Sequence, residues 1–175
     1  MKNSVNYQPI RYQKFPTPLG EMVAASHNNR LCLLEFADKK SPETILKPLA
    51  EKLKTEVKEG PTNTLKLARK QLTLYFNGKL SRFDLPLKPV GTDFQKDVWK
   101  QLTRIPHGKT TNYGKIAERA GRPDGARAAG AAIGSNHIAV VIPCHRVIGK
   151  SGQLSGYAGG VWRKKWLLEH EGKTS

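Results

Sequence analysis

Hydrophobic and polar positions alternate over the first part of the chain. "IRYQKF" alternates, "PTPLGE" interrupts it, "MVAAS" resumes, "HNNR" interrupts again, and "LCLLEF" closes the series. Alternation sends successive side chains to opposite faces of a pleated strand, and Pro, Gly and Asn in the interruptions favour turns. Residues 10–37 therefore predict a meander of short strands. The period then lengthens. Ser41-Pro42-Glu43 opens a helix, with Ser41 as N-cap and Pro42 in the first turn, where its missing N–H is not needed. A second amphipathic helix is predicted from about Thr64 to Phe76, stopped by Asn77-Gly78.

"RFDLPLKPVGT" has neither period, and its prolines and glycine mark a linker. Beyond it the pattern is helical. Thr92 caps "DFQKDVWKQLTRI", with Phe94, Val98, Leu102 and Ile105 on one stripe. Asn112 caps "YGKIAERAG", "RPD" turns, and "GARAAGAAIG" makes another short helix, so the pair reads as a helix-turn-helix. The apolar run at 138–142 reads as a strand, a Gly-rich loop "SGQLSGYAGG" follows, and "VWRKKWLLEHEG" is a last helix. The fold class predicted is α/β (α+β). A small sheet-plus-helix domain over residues 1–88 precedes a mostly helical domain over 92–172.

Composition narrows the chemistry. No window reaches the apolar length of a membrane span, and the opening residues lack the apolar core of a signal peptide. A cytoplasmic protein is expected. The net charge is +16, shared as +8 by residues 1–90 and +8 by residues 91–175. Such a field favours a polyanion without saying which face binds it. Of the two cysteines, Cys32 stands between leucines in "RLCLLEF" and reads as core. Two cysteines at this spacing make no metal site.

Cys144 is different. In "IAVVIPCHRVIG" an apolar run ends at Pro143 and presents a cysteine beside His145. Neighbouring side chains point apart, so direct pairing of thiol and imidazole is not expected. The helix Ala126–Ile133 offers Arg127 and otherwise only small residues. Such a surface approaches a sugar-phosphate backbone closely but reads few base edges. It would equally serve tight packing against a neighbouring helix. Six basic residues against two acids over 104–127 favour DNA contact.

"IPCHRVIG", with "GYAGG" and "LLEHEG" behind it and "ARAAGAAIGSN" in front, resembles the O6-alkylguanine-DNA alkyltransferase family, most strongly over residues 92–172. The resemblance implies a ribonuclease-H-like front domain and a winged-helix-like second domain. It implies a protein that binds double-stranded DNA, flips out O6-alkylguanine, and transfers the alkyl group to Cys144 once. His145 would be the base, working through a water, with Glu171 of "HEG" as its carboxylate partner and Asn136 as a hinge ahead of the active-site turn. Glu169 reads instead as a surface partner of Lys165. Tyr113 would donate to the leaving guanine, although from the residues alone it is a packing residue. The Cys144 and Val147 carbonyls and the Ala158 N–H would hold the base, Tyr157 would line its pocket, and Arg127 would fill the gap in the stack. The resemblance implies no cofactor and no metal, and a monomer able to cluster on DNA.

Three other readings compete. A catalytically dead relative would lack the cysteine. A helix-turn-helix transcription regulator needs a better base-reading helix. A cysteine hydrolase needs an oxyanion site for which there is no separate signal.

Overall fold

The structure, a computed structural model, describes residues 8–174. The first seven residues of the expected front domain lie outside the described residues. Three antiparallel strands, β1 (Ile10–Thr17), β2 (Gly20–His27) and β3 (Arg30–Phe36), form the expected meander. Helix α1 (Pro42–Leu53) starts where Ser41 accepts from the Thr44 N–H. Helix α2 (Asn63–Phe76) starts one residue earlier than its pattern suggests, capped by Thr62. Between them lies β4 (Val57–Glu59), which pairs in parallel with β1 and completes the order β3-β2-β1-β4. Its three residues, mostly polar and exposed, carry no strand period, so the sequence pattern does not reveal it.

Both faces of the sheet are covered. Val23, Ala25 and Cys32 pack with Leu46 and Leu49 of α1. Met22, Ala24, Leu31 and Leu34 face Leu65, Leu72 and Tyr75 of α2 and merge with the core of the second domain. That is why β2 is buried at every position from Met22 to His27 instead of alternating. Cys32 is therefore a core residue. Truncating a side chain as buried as Leu34 would cost about 2–5 kcal/mol.

The second domain begins with α3 (Asp93–Leu102), opened by a capping box between Thr92 and Gln95. Its buried stripe is Val98, Trp99 and Leu102. Phe94 is half-buried, and Ile105 is buried but lies beyond the helix end. The helix-turn-helix is α4 (Tyr113–Arg119), capped by Asn112, and α5 (Ala126–Gly134). Two-residue strands β5 (Thr111–Asn112) and β6 (Val147–Ile148) pair in parallel, and α6 (Val161–Thr174) closes the chain.

One expectation needs correction. Residues 138–142 are not a strand but a series of tight turns. Only Ile138 makes a bridge, to Leu34. The Val141 N–H donates back to the Ala139 carbonyl at 2.8 Å, which drives Val140 to φ 69, a region costly for a β-branched residue. A free sheet edge explains the anchoring. β3 is an edge strand, and its exposed hydrogen-bonding groups are taken by the linker and by this segment. Leu31 exchanges hydrogen bonds with Pro86 and Lys88, and Leu34 with His137 and Ala139. No helix among the described residues is long and apolar enough to cross a membrane.

Candidate active site

The turn series ends at Pro143, where the Cys144 N–H donates to the Ile142 carbonyl at 2.8 Å. A single 3₁₀ turn, Cys144–Arg146, follows. Asn136 sews the reversal together: its Oδ1 accepts from the Ile138 N–H at 3.0 Å, and its Nδ2 donates to the Ile142 carbonyl at 2.9 Å. The same Nδ2 lies 3.2 Å from Cys144 Sγ, oriented to donate. The thiol is almost wholly buried at the base of a cleft of about 30 Å³, whose walls include Asn136, Gly156, Tyr157, Ala158 and Gly159. Burial pushes the Cys144 thiol up, while the Asn136 hydrogen bond and the Lys164 charge pull it down.

His145 turns away from the sulfur. Its Nε2 is 2.7 Å from Glu171 Oε1, and neither side chain has solvent exposure. Burial lowers the imidazole below its ordinary value even though Glu171 opposes this, so the ring is neutral at pH 7. A neutral ring beside a carboxylate donates through Nε2–H, which makes Nδ1 the acceptor. That Nδ1 is buried and has no hydrogen-bond partner among the described residues.

Glu171 gathers the site. Oε1 accepts from His145, from the Tyr75 hydroxyl at 2.8 Å and from Arg146 Nη2 at 2.9 Å, and Oε2 accepts from Arg146 Nε at 2.9 Å. Burial alone would raise the carboxyl, but the hydrogen bonds from His145 and Arg146 outweigh it and hold Glu171 well below the carboxylate range. Glu169 is exposed, 4.0 Å from Lys165, as a surface pair.

The remaining predicted residues surround this centre at different distances from it. Tyr157 and Ala158 line the cleft beside Cys144. Tyr113, at the start of α4, is half-buried, and its hydroxyl donates to the Ser155 carbonyl at 3.0 Å. Val147 is buried in β6, and its N–H donates to the Cys144 carbonyl. Arg127 is exposed in the first turn of α5. The small residues of α5 divide by face: Ala129 and Ala132 are buried, with Trp99 Nε1 donating to the Ala132 carbonyl at 2.8 Å, while Ala126, Ala128 and Ala131 are exposed. Packing and an open small-residue surface thus coexist on one helix. Among the described residues no group of three or more His, Cys, Asp or Glu side chains could hold a metal.

Residues 93–173 match the DNA-binding domain of 6-O-methylguanine DNA methyltransferase, and residues 10–89 match the ribonuclease-like domain of the same protein class. The chain belongs to the 6-O-methylguanine DNA methyltransferase family. It is 46% identical over 162 residues to the methylated-DNA–protein-cysteine methyltransferase of Shigella flexneri, covering 91% of this chain and 94% of that one. The protein of the same name from Mycobacterium bovis is 43% identical, with 93% and 92% covered. The crystal structure of Mycobacterium tuberculosis O6-methylguanine methyltransferase superposes with a TM-score of 0.81 at 40% identity, over 95% of this chain and 94% of that chain. Mycobacterium tuberculosis OGT in complex with DNA also gives 0.81, at 41% identity and 94% coverage of each.

For this family member, sequence reasoning overlooked four side chains. Arg146 stands inside the Pro-Cys-His-Arg motif, so its position was visible although its grip on Glu171 was not. Tyr75 is 96 residues from Glu171, and nothing local links them. Arg163 ties the loop carbonyl of Gly159 to Asp38 and to the Leu19 carbonyl of the front domain. Lys164 is fully buried in a helix whose sequence looks like a charged surface. A larger cleft of about 960 Å³ opens on the other side of the turn, bordered by Arg82, Phe83, Arg104 and Arg146, but Cys144 does not line it.

Proposed function

We propose that this protein repairs DNA directly, taking the alkyl group of O6-alkylguanine, and of O4-alkylthymine, onto Cys144 in one irreversible turnover. The observation that carries the reading is the buried series Cys144, His145, Glu171: a thiol at the base of a cleft, beside a neutral imidazole whose far nitrogen is bound to a carboxylate. Free cysteine is only slightly ionised at neutral pH, so the thiol needs a base. His145 Nδ1 accepts its proton through a bridging water, and the imidazolium so formed is stabilised by Glu171. The thiolate attacks the alkyl carbon as the carbon–oxygen bond breaks. Guanine leaves with the bonding pair on O6 and takes a proton at a ring nitrogen, for which the Tyr113 hydroxyl is the donor. The product is a thioether, and a thiolate does not leave readily from saturated carbon.

Duplex DNA is the partner. The net charge of +16 attracts it, and the exposed Ala126, Ala128 and Ala131 of α5 permit a close approach without reading bases. Extruding a base costs a few kcal/mol, less where the lesion pairs badly. Arg127 enters the gap left behind. A cleft of about 30 Å³ holds roughly one water, so its wall at Tyr157–Gly159 gives way when a base enters. The Ala158 N–H and the Cys144 and Val147 carbonyls then hold the base, and Asn136 keeps the turn in place. The protein acts as a monomer that can cluster on DNA. A cytoplasmic location would keep the thiol reduced.

The test is intact-protein and peptide mass spectrometry after mixing with a methylated duplex. One added methyl on Cys144 is expected, and none in Cys144→Ser, which still binds DNA. A methyl acquired by Cys144→Ser would sink the assignment.

A further inference from the structure

Lys164 lies in the first turn of α6 with no exposed surface. Lysine is almost never withdrawn from water unless it is paired. Its helix neighbours have carboxylates: Arg163 holds Asp38, and Lys165 reaches Glu169. Among the described residues, Lys164 has none. Its ammonium donates instead to the Ser155 carbonyl at 3.0 Å and to the Gly156 carbonyl at 3.4 Å, and lies 5.9 Å from the Tyr113 ring centroid. The Ser155 carbonyl also accepts from the Tyr113 hydroxyl. One carbonyl thus joins Lys164, Tyr113 and the loop that walls the Cys144 cleft, since Gly156 lines that cleft.

We infer that Lys164 is a positioning residue for the alkyl transfer, pinning the 155–156 backbone over the cleft and supplying a buried cation that favours the Cys144 thiolate. The inference rests on Cys144 being the acceptor. Two neutral carbonyls and a ring face do not neutralise an ammonium, so a negative charge forming at the sulfur meets an uncompensated positive one. The two groups favour each other's charged forms, against a burial cost that opposes both. Among the described residues the other titratable side chain beside the sulfur is the Tyr157 hydroxyl, while His145 points to Glu171, with Arg146 behind it. Arg146 is engaged with Glu171 and Arg163 with Asp38, so among the described residues Lys164 is the cation near the cleft with no anionic partner.

The experiment titrates the thiol without DNA. Iodoacetamide labelling of Cys144, located by peptide mass spectrometry, is followed against pH for the full-length protein, Lys164→Met and Lys164→Arg. Circular dichroism and thermal melts establish that each is folded. The methionine variant should move the labelling midpoint up by about one pH unit, roughly tenfold slower labelling below the midpoint, and arginine should return most of that shift. An unmoved midpoint in folded Lys164→Met overturns the inference, as does arginine behaving like methionine. Should both variants misfold, the reciprocal measurement leaves Lys164 intact. With ¹⁵N-labelled lysine ammonium groups, Cys144→Ser should lower the Lys164 titration midpoint, because a charge that favours its partner must be favoured in return. An unchanged midpoint there also overturns it. Labelling does not depend on repair, so a shifted midpoint with no methyl transfer from DNA would leave the pairing standing and remove the repair reading alone.

Discussion

Arg146 grips both oxygens of Glu171, through Nε to Oε2 and Nη2 to Oε1, each at 2.9 Å. Its third contact, Nη1 to the Ile105 carbonyl at 2.6 Å, anchors it to the turn after α3. Arginine therefore holds the carboxylate in place and charged, and Oε1 is shared with His145 and the Tyr75 hydroxyl. Glu171→Gln leaves the guanidinium buried without its anion and His145 without a charge partner. Loss of about 3–5 kcal/mol in urea unfolding is expected, with single-turnover transfer slowed roughly a hundredfold or more and DNA affinity little changed. An unaltered rate would remove Glu171 from the mechanism.

Acid should destabilise the fold in two steps. His145, His27 and His107 are each held below their ordinary value by burial. The unfolded chain then binds protons more readily than the folded one, so their contribution is present above about pH 6.5 and is lost as pH falls below it. Glu171, also depressed, contributes above about pH 4.3 and loses that contribution on further acidification toward its folded value. Urea midpoints between pH 8 and pH 5 should fall steadily. The His145→Gln variant should flatten the fall by removing one of the three imidazoles.

Burial pushes up both thiols, but Cys144 lines a cleft and has the Asn136 hydrogen bond and the Lys164 charge opposing the rise. Burial pushes Cys32 up to about 12, and its Sγ donates to the Ala25 carbonyl. At pH 8 a small alkylating agent should modify Cys144 and leave Cys32 intact, as read by peptide mass spectrometry. Cys32→Ser should keep its transfer rate and lose about 1–3 kcal/mol of stability from a hydroxyl placed in an apolar layer. A lost chemical step in the folded variant would contradict its core role.

Arg127 separates three roles by its behaviour on two substrates. It is exposed on α5. If it fills the gap left by a flipped base, Arg127→Ala should react slowly with duplex and normally with free alkylated guanine. A phosphate contact would instead weaken binding to all DNA and lower the salt slope by about one. Equal losses on duplex and free base would rule out the gap-filling role.

Much of this was legible locally. The strand alternation at 10–37, the caps at Ser41, Thr92 and Asn112, and the Cys144-His145 motif are short-range signals, because turns, caps and strand periods are decided within a few residues. Side-chain divergence between neighbours also predicted that Cys144 and His145 would not pair directly. Tertiary structure decided the rest. The apolar run at 138–142 looked like a strand, but the free edge of β3 captured only its first residues and the turns that place Cys144 took over. Tyr75 meets Glu171 across 96 residues, and Arg163 meets Asp38 across 125, through the docking of α6 on the front domain. Lys164 shows the physical reason best. In sequence it is one more cation in "VWRKKWLLEHEG", indistinguishable from Lys165 beside it. Consecutive helical residues point about 100° apart, so one lysine meets water and the other the carbonyls above Cys144. Which of the two turns inward is set by what α6 packs against, and that lies far away in the chain.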